Sequence, residues 1–283
     1  MGSCDLSNKV TSLREFIVFD TETTGMPPGA RLVEIGAIKV RGKTIVERFD
    51  ELVFPECPIP QEVIDVHGIT NKAVSGARVA SEVLPDFFAW AKGLPLVAHN
   101  APFDAAMLAS ECARLSIPCP DNPTLCTLQA SRKLLPGQSH SLESLVSDLG
   151  LPAATHHRAG EDASHALNLL WHLQAFKGNK FKNTYMGSGK PISAYAPEAP
   201  SLKGGKTILQ ECAHKAESVD IQYVFANRGR ASLRVSPRFF YQRRSTIFME
   251  ALCHQAFHYK TYRIDRIANA RPCPEAPPPT VRR

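Results

Sequence analysis

Phe16-Ile17-Val18-Phe19-Asp20-Thr21-Glu22-Thr23-Thr24-Gly25 joins an apolar run to a closely spaced pair of acids. Its first four residues are an unbroken apolar run of strand formers, which reads as a central strand buried on both faces. Where the run ends, Asp20 and Glu22 sit two apart. Side chains at i and i+2 of a strand leave on the same side, so both carboxylates can converge on one cation. Two acids at a strand end are more often simply solvated, and the rest of the chain has to give the pair its meaning.

Outward from that strand, residues 31–40 and 43–54 are strand-like and are separated by Arg41-Gly42, a compact hairpin signal. Residues 94–98 form another short apolar run, after a segment, 81–90, with helical character. Residues 103–116, 127–135, 141–149 and 161–176 read as helices. The last is the clearest, because Ala163, Ala166, Leu167, Leu170 and Leu173 recur at helical spacing. A hairpin followed by alternating strands and helices argues for an α/β sandwich around a mixed sheet over residues 14–176.

Residues 177–205 are polar and rich in Gly, Pro and Ser, with no period, and read as a linker. Short strand-like runs at 219–225, 231–235, 246–252 and 261–267, with a turn at Asn227-Arg228-Gly229, predict a small β-rich domain over 206–272. Residues 1–13 are left as an N-terminal segment. The proline-rich tail, 273–283, is expected to be disordered.

Two further acidic positions stand at helix starts. Asp104 ends Ala98-His99-Asn100-Ala101-Pro102-Phe103-Asp104, and Asp162 ends His157-Arg158-Ala159-Gly160-Glu161-Asp162. Five residues of continuous helix would turn through about 500°, placing His157 and Asp162 on different faces. His157 therefore belongs on the entering loop and Asp162 in the first turn, where both side chains can approach one site. His156, which precedes His157, reads more simply as a loop residue.

Taken together, DTETTG, HNAPFD and HRAGED resemble, in order and separation, the three motifs of the DEDDh 3′-5′ exonucleases, which include the proofreading epsilon subunit of bacterial DNA polymerase III. His67-Gly68-Ile69-Thr70 and Ser139-His140-Ser141-Leu142 are similar to that family as well. The resemblance implies a ribonuclease H-like fold with a five-stranded mixed sheet. It implies two divalent ions, one held by Asp20, Glu22 and Asp162 and the second by Asp20 and Asp104, with His157 as the general base that takes a proton from the attacking water. Thr23, Thr24, His99, Asn100 and Phe103 would contact substrate. The chemistry agrees: oxygen-only ligands suit Mg²⁺ or Mn²⁺, and an imidazole titrating near neutrality suits a base.

Residues 206–272 resemble the WYL domain through Ile221-Gln222-Tyr223, Arg234-Val235-Ser236-Pro237, the run from Ile247 to His254, and Tyr262-Arg263-Ile264-Asp265-Arg266-Ile267. The family's namesake Trp-Tyr-Leu is here Ile247-Phe248-Met249, so the indole and phenol are missing. This resemblance implies a sensor of nucleic acid or of another ligand. Arg234, Arg238, Arg263 and Arg266 are the candidate phosphate contacts, and a protein partner or small regulatory ligand is the other occupant to expect.

Charge divides along the same line. Residues 1–176 carry 14 Lys+Arg against 20 Asp+Glu, and residues 177–283 carry 19 against 7. A basic second part suits a polyanion. No apolar stretch approaches the roughly 20 residues needed to span a membrane, and Met1 to Thr11 lacks the apolar core of a secretory signal. Eight cysteines without a CxxC pair fit reduced thiols. The expectation is a cytoplasmic enzyme, away from membranes, that releases 5′-nucleotides from single-stranded 3′ ends, of DNA rather than RNA. A ribonuclease of the same family, and a nucleic-acid-sensing regulator with the nuclease fold as scaffold, are the alternatives. Four convergent carboxylates argue against a scaffold.

Overall fold

The structure, a computed structural model, describes residues 13–152 and 157–283. The chain forms two compact units. The second consists of Pro197–Arg283 together with a short excursion, Glu56–Pro58, from the first.

In the first unit the opening run behaves as its composition predicts. Strand β1 (Glu15–Thr23) buries Ile17 and Phe19 in one apolar cluster and Phe16 and Val18 in another, so alternate residues serve opposite faces of the sheet. β1 pairs antiparallel with β2 (Leu32–Arg41), which returns as β3 (Thr44–Phe54). Two short helices, α1 (Gln61–His67) and α2 (Asn71–Val74), precede the two-residue β4 (Arg78–Val79) and helix α3 (Ala80–Ala91). Next come β5 (Leu96–Ala98), α4 (Ala101–Leu115), β6 (Thr124–Cys126), α5 (Thr127–Leu134), α6 (Leu142–Asp148) and α7 (Ala159–Lys177). The strand order is β4-β3-β2-β1-β5-β6. The mixed sheet thus has six strands where five were expected, the extra one being β4 at the edge. Helices α3 and α4 cover one face, with Leu84, Phe87, Met107 and Leu108 packed on Ile17 and Phe19. The other face is covered by α5, α6 and α7 through Ala130, Leu145, Leu167 and Leu170.

Residues 178–196 were expected to be linker, and they instead complete this unit. Three 3₁₀ turns, Gly178–Lys180, Asn183–Met186 and Ile192–Tyr195, carry the chain back over the sheet edge. Met186 and Ile192 are buried, one in each cluster. Thr124 N–H donates to Lys190 O at 2.9 Å and Ile192 N–H donates to Asn122 O at 3.1 Å. Met186 and Ile192 are six apart and fit neither a strand nor a helix period, which is why the sequence shows no element there.

The second unit is an antiparallel sheet with one helix. Helix α8 (Thr207–His214) precedes β7 (Ser218–Phe225), β8 (Gly229–Arg243), β9 (Thr246–Cys253), β10 (His258–Arg263) and β11 (Ile267–Cys273), in the order β10-β9-β8-β7-β11. Leu209 and Cys212 of α8 join Val219, Ile221, Val235 and Met249 in its core. The predicted strand 261–267 is broken by a 3₁₀ turn, Ile264–Arg266. The tail expected to be disordered is tied down. Ser218 Oγ donates to Ala276 O at 2.6 Å, Arg282 N–H donates to Phe257 O at 2.7 Å, and the Arg282 guanidinium lies 3.8 Å from the Phe257 ring centroid.

Candidate active site

The carboxylates meet where β1 outruns its neighbour. β5 pairs with β1 at Ile17 and Val18, and β1 continues five residues further. Past that point the Thr21 N–H is free to face the first turn of α4, where it donates to Asp104 Oδ1 at 3.1 Å. The Thr21 hydroxyl donates to the same oxygen at 2.8 Å. Asp104 is 2% exposed, so these two bonds fix it at the floor of the site.

Asp162 arrives from the other side because two glycines let a helix touch the sheet. Gly36 on β2 stands opposite Asp20 on β1. A Cβ on Gly36 would overlap the backbone of Ala159 and Gly160, and one on Gly160 would overlap the Asp50 carboxylate. The first turn of α7 therefore rests directly on β2. Glu34, opposite Glu22, secures the contact: Arg158 Nε donates to its two oxygens at 3.0 and 3.1 Å, and Ala159 N–H donates to Oε2 at 2.9 Å.

As a result, Asp20, Glu22 and Asp162 each present an oxygen within 4.8 Å of the others, the one such trio of His, Cys, Asp or Glu among the described residues. Asp162 is braced at both oxygens, by His157 N–H on Oδ2 at 2.9 Å and by His165 Nδ1, 3.2 Å from Oδ1. His157 is exposed on the entering loop in the left-handed region, φ +62°, which separates its side chain from the helix as the spacing predicts. His156 lies outside the described residues.

Crowding these acids together is electrostatically unfavourable. Burial first, then the charges of Asp104, Glu22 and Asp162, raise Asp20 well above the usual carboxylate range. Burial, with Asp162 and Glu34 beside it, pushes Glu22 to about 8. Asp104 is pushed by burial to about 7 although the Thr21 bonds oppose it. Oxygen donors held together against their own repulsion fit a divalent cation, whose charge would offset that cost.

The expected substrate contacts divide. Asn100 is exposed at the start of α4 in the left-handed region, φ 70°, and Phe103 is half-buried beside it. Thr23 and Thr24 use their hydroxyls within their own loop: Thr23 Oγ1 donates to Gly25 O at 2.6 Å, and Arg31 N–H donates to Thr24 Oγ1 at 2.9 Å. His99 differs from expectation. Its Nδ1 lies 3.0 Å from Thr127 Oγ1 and its Nε2 lies 2.9 Å from His140 O, so both ring nitrogens brace the protein and neither faces the opening. Burial lowers its affinity for a proton, which suits a neutral ring in that place.

In the second unit, all four candidate phosphate-binding arginines already face carboxylates. Arg234 is bidentate on Asp220, Arg263 pairs with Asp265, and Arg266 sits half-exposed near the same acid. Arg238 departs furthest from expectation. It bonds Glu250 and Glu56 and stacks 3.4 Å from the Tyr259 ring centroid, so it is a structural clamp inside the unit.

Glu34, His67 and His165 are absent from the sequence-based set. His165 was within reach, three residues after Asp162 on one helix face. Glu34 is defined by contacts across the sheet that no spacing reveals, whereas the buried His67, quoted above only as part of a motif, turns its Nδ1 to accept from Ile69 N–H at 2.9 Å.

Known proteins agree with this geometry. A family model described as Exonuclease (RNase T) matches residues 17–170, and one described as WYL domain matches residues 206–272. The PolC-type DNA polymerase III of Oceanobacillus iheyensis is 39% identical over 160 residues, which is 56% of this chain and 11% of that one. This chain thus spans about a tenth of that relative's length. Among solved structures, the nuclease domain of 3′hExo, a DEDDh family member bound to rAMP, covers 60% of this chain and 95% of its own at 17% identity and TM-score 0.53. The zinc-bound E. coli ExoI-ssDNA complex covers 91% and 65% at 15% identity and TM-score 0.55. At those identities the likeness is one of fold. No helix of the described residues is long and apolar enough to cross a membrane. The chain belongs to the exonuclease family, over residues 17–170, and carries a WYL domain behind the nuclease.

Proposed function

We propose that this chain removes 5′-nucleotides one at a time from the 3′ end of single-stranded nucleic acid, DNA in preference to RNA. The observation that carries the reading is the convergence of Asp20, Glu22 and Asp162 within 4.8 Å, above a buried Asp104. Asp20, Glu22 and Asp162 would hold one divalent cation and Asp20 with Asp104 a second, Mg²⁺ or Mn²⁺. Bound there, two such ions would supply charge for the phosphate and for both the attacking and departing oxygens. Thr21 keeps Asp104 in place. His157, exposed and anchored through its backbone to Asp162, would accept the proton of the attacking water. Asn100 and Phe103 would position the terminal nucleotide, and Thr23 and Thr24 would shape the loop beneath it. The single strand in the E. coli ExoI complex supports the choice of substrate. The eight scattered cysteines, without a CxxC pair, support a reducing, cytoplasmic setting.

Strands labelled at the 3′ end and at the 5′ end, DNA and RNA, with Mg²⁺, with Mn²⁺ and with EDTA, test the reading together. Early release of the 3′ label as a mononucleotide, only with metal, is expected. Products shortened from the 5′ end, or full activity of Asp20→Ala in EDTA, would refute it. His157→Ala should depress turnover about 10²- to 10⁴-fold, the range for a lost general base.

A further inference from the structure

The segment 186–195 does more than close the first unit. With Ala101 and Pro102 at the start of α4 and Gln129 on α5 it encloses a cavity of about 210 Å³. The far wall carries Ser188, Lys190 and Tyr195. The position is informative: Asn100 and Phe103, the exposed and half-buried candidates for contact with the terminal nucleotide, flank the two α4 residues that line it. Asp104 is one helical turn from Ala101.

The lining has a definite chemistry. Lys190 is its one cationic side chain and no lining residue is acidic. The exposed ammonium lies 4.3 Å from the Tyr195 ring centroid, which pre-arranges it at the rim. Around it are neutral polar groups, Gln129, Ser188 and the Tyr195 hydroxyl. Gly187, φ 109°, lets the Gln129 amide come close, since a Cβ there would lie 3.1 Å from Gln129 Oε1. A cation ringed by neutral donors recognises an anion with polar neighbours. The volume is below the roughly 300 Å³ at which a pocket begins to enclose a whole drug-sized ligand. It suits a fragment of a polymer.

We propose that this cavity is a subsite for the sugar-phosphate backbone of the strand just upstream of its 3′-terminal nucleotide, with Lys190 pairing a phosphate and Gln129 and Ser188 donating to it or to the adjoining sugar. It rests on the reading that the chain degrades strands from the 3′ end. The wall that supplies Lys190 lies beyond residues 17–170, the span of the exonuclease family match, so the grip is a property of this chain's extension.

The test uses the full chain, with Lys190→Gln and Lys190→Arg beside wild type. Turnover is measured on a dinucleotide and on an octamer, and octamer affinity is measured in EDTA across a salt series. A dinucleotide has no phosphate upstream of the scissile one. Lys190→Gln should therefore leave dinucleotide hydrolysis within about twofold and raise KM for the octamer by roughly three- to tenfold with little change in kcat. The slope of log affinity against log salt should become shallower by about 0.7, the contribution of one phosphate contact. Lys190→Arg should restore most of the loss. Unchanged KM and slope would overturn the subsite. Equal losses on dinucleotide and octamer, unrelieved by arginine, would overturn it too, as the mark of a structural role. If wild type cleaves neither substrate, the exonuclease reading fails by itself, and the salt slopes still decide whether Lys190 holds a strand.

Discussion

Gly36 of β2 and Gly160 of α7 meet backbone to backbone, with no space for a methyl group between them. Gly36 is also the cross-strand partner of Asp20. The place where the helix touches the sheet is therefore the place where its first-turn acid, Asp162, must reach the acids of β1. Close packing and chemistry are set by one contact.

Gly36→Ala follows as a sharp test. The added methyl must push the first turn of α7 away from β2, and overpacking of this kind costs about 1–3 kcal/mol. Displacement of Asp162 by about 1 Å should lower turnover on the order of 10²-fold. Urea midpoints and single-turnover rates measure both. Wild-type activity in Gly36→Ala would mean that the helix has another route to its place.

Glu34 should act through position alone. Its carboxylate accepts from Arg158 and from Ala159 N–H, and so fixes the start of α7 without being one of the convergent trio. Glu34→Gln retains the shape and weakens the guanidinium pairing. Losing such a supporting partner typically costs 10- to 100-fold in activity or metal affinity. The expected signature is a higher Mg²⁺ requirement with KM for a strand nearly unchanged. A raised strand KM with normal metal dependence would instead put Glu34 in contact with substrate.

Metal-free stability should depend on pH in a direction opposite to the usual salt-bridged acid. Glu22 is raised from 4.5 to about 8 and Asp104 from 3.8 to about 7. A carboxyl raised on folding contributes stability that is complete below its unfolded value and is lost as pH rises through the folded one. Unfolding free energy in EDTA should therefore fall from about pH 4.5 to about pH 8, by on the order of a few kcal/mol. Mg²⁺ binds the ionised form, so the rise in Tm it causes should be small at pH 5 and several degrees at pH 8. Thermal melts with and without Mg²⁺ decide the matter, and a metal effect equal at both pH values would contradict it.

How far the sequence shows all this depends on the range of the interaction involved. The acids of β1, the first-turn acids Asp104 and Asp162, and the loop position of His157 follow from strand and helix periods, which are local. Gly36, Glu34 and the bracing of His99 depend on what lies across the sheet, and a residue's own neighbours in sequence do not record it. β8 shows a second cause. A strand ending near Val235 is the natural expectation before Pro237, since proline cannot donate to a ladder. The strand continues to Arg243 because Pro237 lies past Val235, the last β8 residue paired with β7, and has a ladder partner on the β9 side alone, with the register shift that follows leaving Arg238 unpaired in the ladder.

The boundary of the nuclease unit gives the last prediction. By composition the unit ends near residue 176, whereas the structure buries Met186 and Ile192 of the following segment in its two apolar clusters. Each burial contributes about 1.5–3 kcal/mol, before the entropy of ordering the turns is subtracted. A fragment ending at Ala196 should therefore unfold at a clearly higher urea concentration than one ending at Phe176. The shorter fragment should also expose the sockets of both side chains, seen as stronger binding of an apolar dye. Met186→Ala and Ile192→Ala in the longer fragment should each lose about 2–5 kcal/mol, as large-to-small changes in a packed core do. Losses that sum past the difference between the two fragments are expected, because truncation also releases the ordered backbone. Equal midpoints for the two fragments, with both alanine variants neutral, would return residues 178–196 to the role of a linker.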